Sequence, residues 1–141
     1  MLNNIITASA NFCIHQIREP HKIIDTIPNK KTIIVYIDIE TNNIKKYRIY
    51  LASDFNFMQR ISYIFLEETD CDEQTLVDMA LETANLIIGS AKVIAEDENK
   101  NTFIMKTPHF VKIDKYDLEY DDFKVFKIGD DELLISIKEL S

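Results

Sequence analysis

Leu76-Val77-Asp78-Met79-Ala80-Leu81-Glu82-Thr83-Ala84-Asn85-Leu86-Ile87-Ile88-Gly89 is apolar enough for a buried helix, yet it carries two acids and an amide. A charge taken out of water without a partner is costly, so these three groups need an open face. At about 100° per residue, Asp78, Glu82, Asn85, Gly89 and Lys92 fall within a sector of roughly 80°. Leu76, Val77, Met79, Ala80, Leu81, Ala84, Leu86, Ile87, Ile88, Ala91, Val93 and Ile94 point in the remaining directions. The pattern predicts a long helix from about Glu73 to Ala95, buried over most of its circumference, with one narrow polar strip. Asp70, with Glu73 three residues later, has the spacing of a capping box at its start.

Every amphipathic helix has a wet edge, so the strip alone does not define a site. Three details give it more content. It lacks the Glu–Lys exchanges of a solubilising face, apart from Lys92 at its end. Asn85 is a mediocre helix former in mid-helix. Gly89 costs roughly 1 kcal/mol against Ala, and leaves room for something to approach.

Working outward, Ile6, Ala10, Cys13 or Ile14, and Ile17 repeat with helical spacing from residue 3 to about 19, and Pro20 lies just beyond. Ile33, Val35, Ile37 and Ile39 alternate as a strand does, Thr41-Asn42-Asn43 suits a turn, and Tyr47, Ile49 and Leu51 alternate on the return. Ser53-Asp54 is a capping pair before Phe57, Ile61, Ile64 and Phe65, a second helix. The loop Asp97-Glu98-Asn99-Lys100-Asn101 ends the long helix. Short strands around Phe103–Met105 and Phe110–Ile113 flank Pro108, which cannot sit in a central ladder. Strands at Phe123–Ile128 and Glu132–Lys138 meet at Gly129-Asp130, a tight-turn pair. Hairpins and helices in runs indicate an α+β fold, a largely antiparallel sheet with long helices packed on it.

The 141 residues are expected to form one domain. A net charge of −8 opposes a nucleic-acid partner, which needs clustered Lys and Arg, and opposes an anionic membrane surface too. The first residues have neither the basic flank nor the apolar run of a signal peptide, and no window has the length of a membrane span. Two cysteines in no CxxC spacing fit a reducing compartment. The expectation is a cytoplasmic protein.

Other constellations carry less. His15, His21 and His109 are too scattered for a metal motif. The acidic run Asp117, Glu119, Asp121 and Asp122 lacks the Gly and terminal Glu of a calcium loop, and reads as a solvated or partner-docking segment. Cys13 and Cys71 have no basic neighbours and read as core or near-core residues. Ser90 has no nucleophile elbow, and there is no phosphate-binding Gly-rich loop. Asn4, Ala8 and Asn11 echo the spacing of the polar strip, without a carboxylate.

Asp78-x3-Glu82-x2-Asn85, followed by 22 residues from Leu86 to Thr107 and then Pro108, resembles the Asp/Ser-x3-Glu-x2-Asn-x22-Pro pattern of the CheC/CheX/FliY group of bacterial chemotaxis phosphatases. Thr83-Ala84 stands where the group commonly has a Gly-containing pair, and His109 where a second Pro is frequent; neither touches the acid–amide pair. A single copy of the motif is similar to CheX rather than to CheC or FliY. The resemblance implies a CheC/CheX-like fold and hydrolysis of the aspartyl phosphate of a CheY-type receiver. It implies that Glu82 docks against a receiver Lys and that Asn85 orients the attacking water. Asp78, Gly89 and Lys92 would make partner contacts, and Pro108 would shape the loop behind the helix. The chain would need no metal of its own, Mg being expected on the receiver. One site per chain implies a homodimer through joined sheet edges. The alternative is a non-catalytic CheX-like adaptor that binds a receiver or a flagellar-switch component.

Overall fold

The computed structural model describes residues 2–42, 44–98 and 102–140. The opening stretch lies in a helix, α3 (Glu73–Asp97), two residues longer than its apolar period predicts. Its N-cap is Asp72, whose carboxylate accepts the Thr75 N–H at 2.8 Å, not Asp70. The backbone decides between the two. Asp72 has the extended conformation a capping residue needs, whereas Asp70 is left-handed with φ 52°. Leu76, Val77, Met79, Ala80, Ala84, Ile87, Ile88, Ala91 and Ala95 are buried. The four alanines among them let α3 lie close to its neighbours.

The expected first helix is two pieces. α1 (Leu2–Asn11) runs into a π-helical segment, Phe12–Ile17, closed by the Arg18 N–H on the Cys13 carbonyl at 2.8 Å. That i→i+5 closure changes the helical phase. Cys13 enters the core while Ile14 turns out to solvent.

Two hairpins dominate the sheet. β2 (Thr32–Thr41) pairs with β3 (Lys46–Asp54), setting Val35 opposite Leu51 and Ile37 opposite Ile49. At the expected turn between them, Asn43 lies outside the described residues, as do Asn99, Lys100 and Asn101 of the loop after α3. β6 (Asp122–Ile128) and β7 (Asp131–Glu139) meet at Gly129, whose φ of 60° suits a residue without a Cβ. The far side of β2 is shared by β4 (Phe103–Met105) and β5 (His109–Asp114), interrupted at Thr107-Pro108 where proline has no N–H to give. A three-residue strand, β1 (Lys22–Ile24), has no counterpart in the sequence pattern and pairs with β6. The described strands form one antiparallel sheet in the order β1-β6-β7-β3-β2-β4, with β5 also on β2.

α1, α3 and α2 (Phe55–Leu66) cover one face, packing on Ile33, Val35, Ile37, Leu51, Phe126 and Leu133. The opposite face is covered centrally by Tyr116, whose hydroxyl lies 2.6 Å from Ser136 Oγ above Ile34, Ala52, Val125 and Leu134. Burial on both faces explains why β2 is apolar at Ile34 as well as at Ile33 and Val35. The acidic run is a strap over this second face. Asp117 pairs with Lys112 at 2.9 Å and Asp121 with Lys138 at 3.2 Å, and Asp121 also accepts the Glu139 N–H. These contacts hold both carboxyls below the usual Asp range.

Asp54 rather than Ser53 caps α2, accepting the Phe57 N–H at 2.7 Å. Its second oxygen accepts the Glu132 N–H at 2.8 Å and pairs with Lys30 at 2.9 Å. This buried carboxylate is fully partnered, as burial demands.

Candidate functional site

α3 presents its polar residues along one ridge. Asp78, Glu82 and Asn85 are all exposed. Asp78 is engaged within the chain, accepting a hydrogen bond from Gln74 Nε2 at 3.0 Å. Glu82 and Asn85 make no hydrogen bond or ion pair with any described residue. One turn beyond Asn85, a Cβ placed on Gly89 would meet nothing within 4 Å. The helix therefore has open space where its glycine sits, and no internal packing requires that glycine. Lys92, at the end of the ridge, is partly buried. Pro108 lies at the break between β4 and β5.

The ridge is not purely polar. Leu86 is 37% exposed and Val93 54%, although the helical period assigns both to buried faces. Both lie at the border of the polar sector, and the elements flanking α3 stop short of covering them. Ser90 is exposed beside them.

Rigidity comes from below. The buried side of α3 packs on β2, α1 and α2, so Glu82 and Asn85 project from a helix whose backbone is held along its length. Chemically, the ridge offers one carboxylate acceptor and one amide that both donates and accepts, about one turn apart and free of competition from the described residues.

The remaining candidates scatter. Asn4, Ala8 and Asn11 do not form a second ridge, because Ala8 is buried. His21 packs on Phe126 and His109 on Tyr36, while His15 lies on the π-helical segment. Among the described residues, no group of three or more His, Cys, Asp or Glu is placed to hold a metal ion. Cys13 is a core residue as expected, its thiol pushed up to about 11 by burial. No described helix is long and apolar enough to cross a membrane.

No protein-family model matches the chain, and no curated protein matches it. Solved structures do. The CheX chemotaxis protein of Vibrio vulnificus superposes with a TM-score of 0.78 at 16% identity, covering 97% of this chain and 95% of that one. The chain has the CheX fold. A CheX from Desulfovibrio desulfuricans gives a TM-score of 0.73 at 16% identity, with 97% of each chain covered. The CheX of a CheX–CheY–BeF3–Mg complex from Borrelia burgdorferi gives 0.69 at 15% identity, covering 98% of this chain and 97% of that one. At such identities the likeness is one of fold, shared end to end. The largely antiparallel sheet with long helices packed on it, expected from the hairpin pattern, is therefore the CheX architecture.

Proposed function

We propose that this chain is a phosphatase that hydrolyses the aspartyl phosphate of a CheY-type response-regulator receiver in chemotaxis. The observation that carries the reading is the pair Glu82 and Asn85. Both are exposed on a rigid helix, without partners among the described residues, beside a glycine with open space around it. The CheX fold and the solved CheX–CheY complex support a receiver as the partner.

Phosphoryl transfer asks mainly for positioning and charge stabilisation, since its transition state is loose. A receiver brings its own Mg and a Lys close to the phosphoryl group, so this chain needs to supply little more than an oriented water. Asn85 does that: its amide holds a water in line with the phosphorus–oxygen bond that breaks. Water adds to phosphorus, the Asp carboxylate of the receiver leaves, and inorganic phosphate is the other product. An amide needs no change of protonation for this role. Glu82 accepts a charge-assisted hydrogen bond from the receiver Lys, which fixes the register of the helix on its target. Asp78, tied to Gln74, and Lys92 lie at the two ends of the contact, and Gly89 lets the receiver surface come close. The homodimer, joined at sheet edges, belongs to the same reading.

The test is the decay of phosphorylated receiver with no addition, with this protein, and with its Asn85→Ala variant. Acceleration by the wild type that the variant loses supports the phosphatase. Equal decay in all three, with receiver binding retained, replaces it with a non-catalytic adaptor.

A further inference from the structure

A groove of about 290 Å³ runs beside the ridge. The π-helical segment forms one wall with Phe12, His15 and Gln16; Leu86 and Ser90 form the other, and Phe65 closes the α2 end. Phe12 and Phe65 stack there with ring centroids 6.1 Å apart. Phe65 is 39% exposed, close to the exposure of Leu86, so the groove has an open apolar floor of Phe12, Phe65 and Leu86, edged by the polar Asn11, His15, Gln16 and Ser90. The volume lies at or below the lower limit for small-molecule pockets, about 300 Å³. One protruding side chain is the better match in size.

We infer that this groove is the specificity socket of the site, taking one apolar side chain from the receiver surface next to its phosphoryl group. The inference rests on the phosphatase reading and names what selects the partner. Leu86 directly follows Asn85 and Ser90 directly follows Gly89, so the groove begins about 100° around the same helix from the ridge. A receiver within hydrogen-bonding reach of Asn85 covers it. Area makes that flank necessary. A specific interface buries about 800 Å² per partner around an apolar centre, and Glu82, Asn85 and Gly89 alone are a narrow polar line. The apolar centre has to come from beside the ridge, where Leu86 and Phe65 supply it. The wall opposite α3 is the one described stretch of π-helix, an irregularity frequent at functional sites. The groove lining carries no acid, whereas the ridge carries Asp78 and Glu82. The complementary receiver surface is a lysine next to an apolar residue.

The experiment titrates CheY-type receivers from the same source organism, loaded with beryllofluoride and Mg, against wild type, Leu86→Ala, Ser90→Leu and Val93→Ala, with urea midpoints recorded for each. Decay of phosphorylated receiver is measured in parallel at saturation. Leu86→Ala empties the socket and Ser90→Leu fills it, and each is expected to weaken binding about tenfold. Saturated turnover should stay within about twofold of wild type. Val93, apolar and bordering the same ridge but outside the groove, serves as the comparison and should lose clearly less than Leu86→Ala. Wild-type affinity in both groove variants overturns the socket, as does an equal loss in Val93→Ala. Leu86-dependent binding without any acceleration of decay keeps the socket and rejects the phosphatase. If wild type binds none of these receivers, both fall together.

Discussion

Two carboxylates, Asp54 and Glu82, sit near the same scaffold and have opposite circumstances. Asp54 is buried where β3 meets α2, and each of its oxygens has partners: the Phe57 N–H, the Glu132 N–H and the Lys30 ammonium. Glu82 stands exposed on α3 with no hydrogen bond or ion pair to any described residue. Full satisfaction is the mark of a group that holds the fold, since a buried polar atom left unpaired is expensive. An unpartnered acid beside an unpartnered amide, on a helix otherwise rich in buried apolar side chains, contributes little to folding. On the proposed reading, its contribution is to the receiver that docks there.

The comparison breaks most easily at Asp54. Asp54→Ala removes a helix cap and leaves two backbone N–H groups without an acceptor, one of them buried. The expected loss is about 4 kcal/mol of unfolding free energy, a large share of the roughly 5–15 kcal/mol typical of a domain. Urea denaturation measures it, and Asp54→Asn, which keeps an acceptor, should recover part of the loss. A change below about 1 kcal/mol would mean that Asp54 is as dispensable to the fold as the ridge.

Next in size is Asn85→Ala, which should act on the opposite quantity. Its urea midpoint should match wild type, while the accelerated decay of phosphorylated receiver slows roughly a hundredfold, a barrier raised by about 3 kcal/mol, as for other preorganised polar groups. Binding of the receiver should change little. Loss of stability together with activity would make Asn85 a structural residue.

Glu82→Lys is smaller and shifts a different parameter. Reversing the charge sets one ammonium against another, that of the receiver lysine, so half-saturation should rise about tenfold, or roughly 1.4 kcal/mol, with saturated turnover less affected. Raising the salt concentration should narrow the gap, because the contact lies at the surface. An unchanged saturation curve would return Glu82 to the ordinary wet edge of a helix.

What the sequence made legible follows the same division. Elements whose signal is a local period came through: the β2–β3 and β6–β7 hairpins, the length of α3, and the openness of Glu82 and Asn85. Features decided by neighbours did not. The helical period leaves Cys13 and Ile14 as equal candidates for the core. The π-helical turn at Phe12–Ile17 decides between them, and its phase depends on packing such as Phe12 against Phe65. The spacing points to Asp70 as the cap of α3, but Asp70 is left-handed, and Asp72 accepts the Thr75 N–H instead. β1 is too short to show an alternation. The groove beside the ridge draws its walls from α1, the π-helical segment, α2 and α3, so no single window of sequence contains it.

Gly89 gives the smallest effect and the sharpest separation of the two kinds of residue. In a helix interior, Gly→Ala is worth up to about 1 kcal/mol of added stability, provided the new methyl meets nothing. Here nothing lies within 4 Å of it, so Gly89→Ala should raise the urea midpoint. Folding alone then offers no reason for glycine at this position. If the receiver surface closes over the ridge, the same methyl intrudes on the contact and weakens receiver binding while the isolated chain becomes more stable. Stability and binding moving in opposite directions in one variant would mark Gly89 as a residue placed for a partner. A stabilised variant that binds its receiver as wild type does would move the contact off this turn of α3, back toward Glu82 and Asp78.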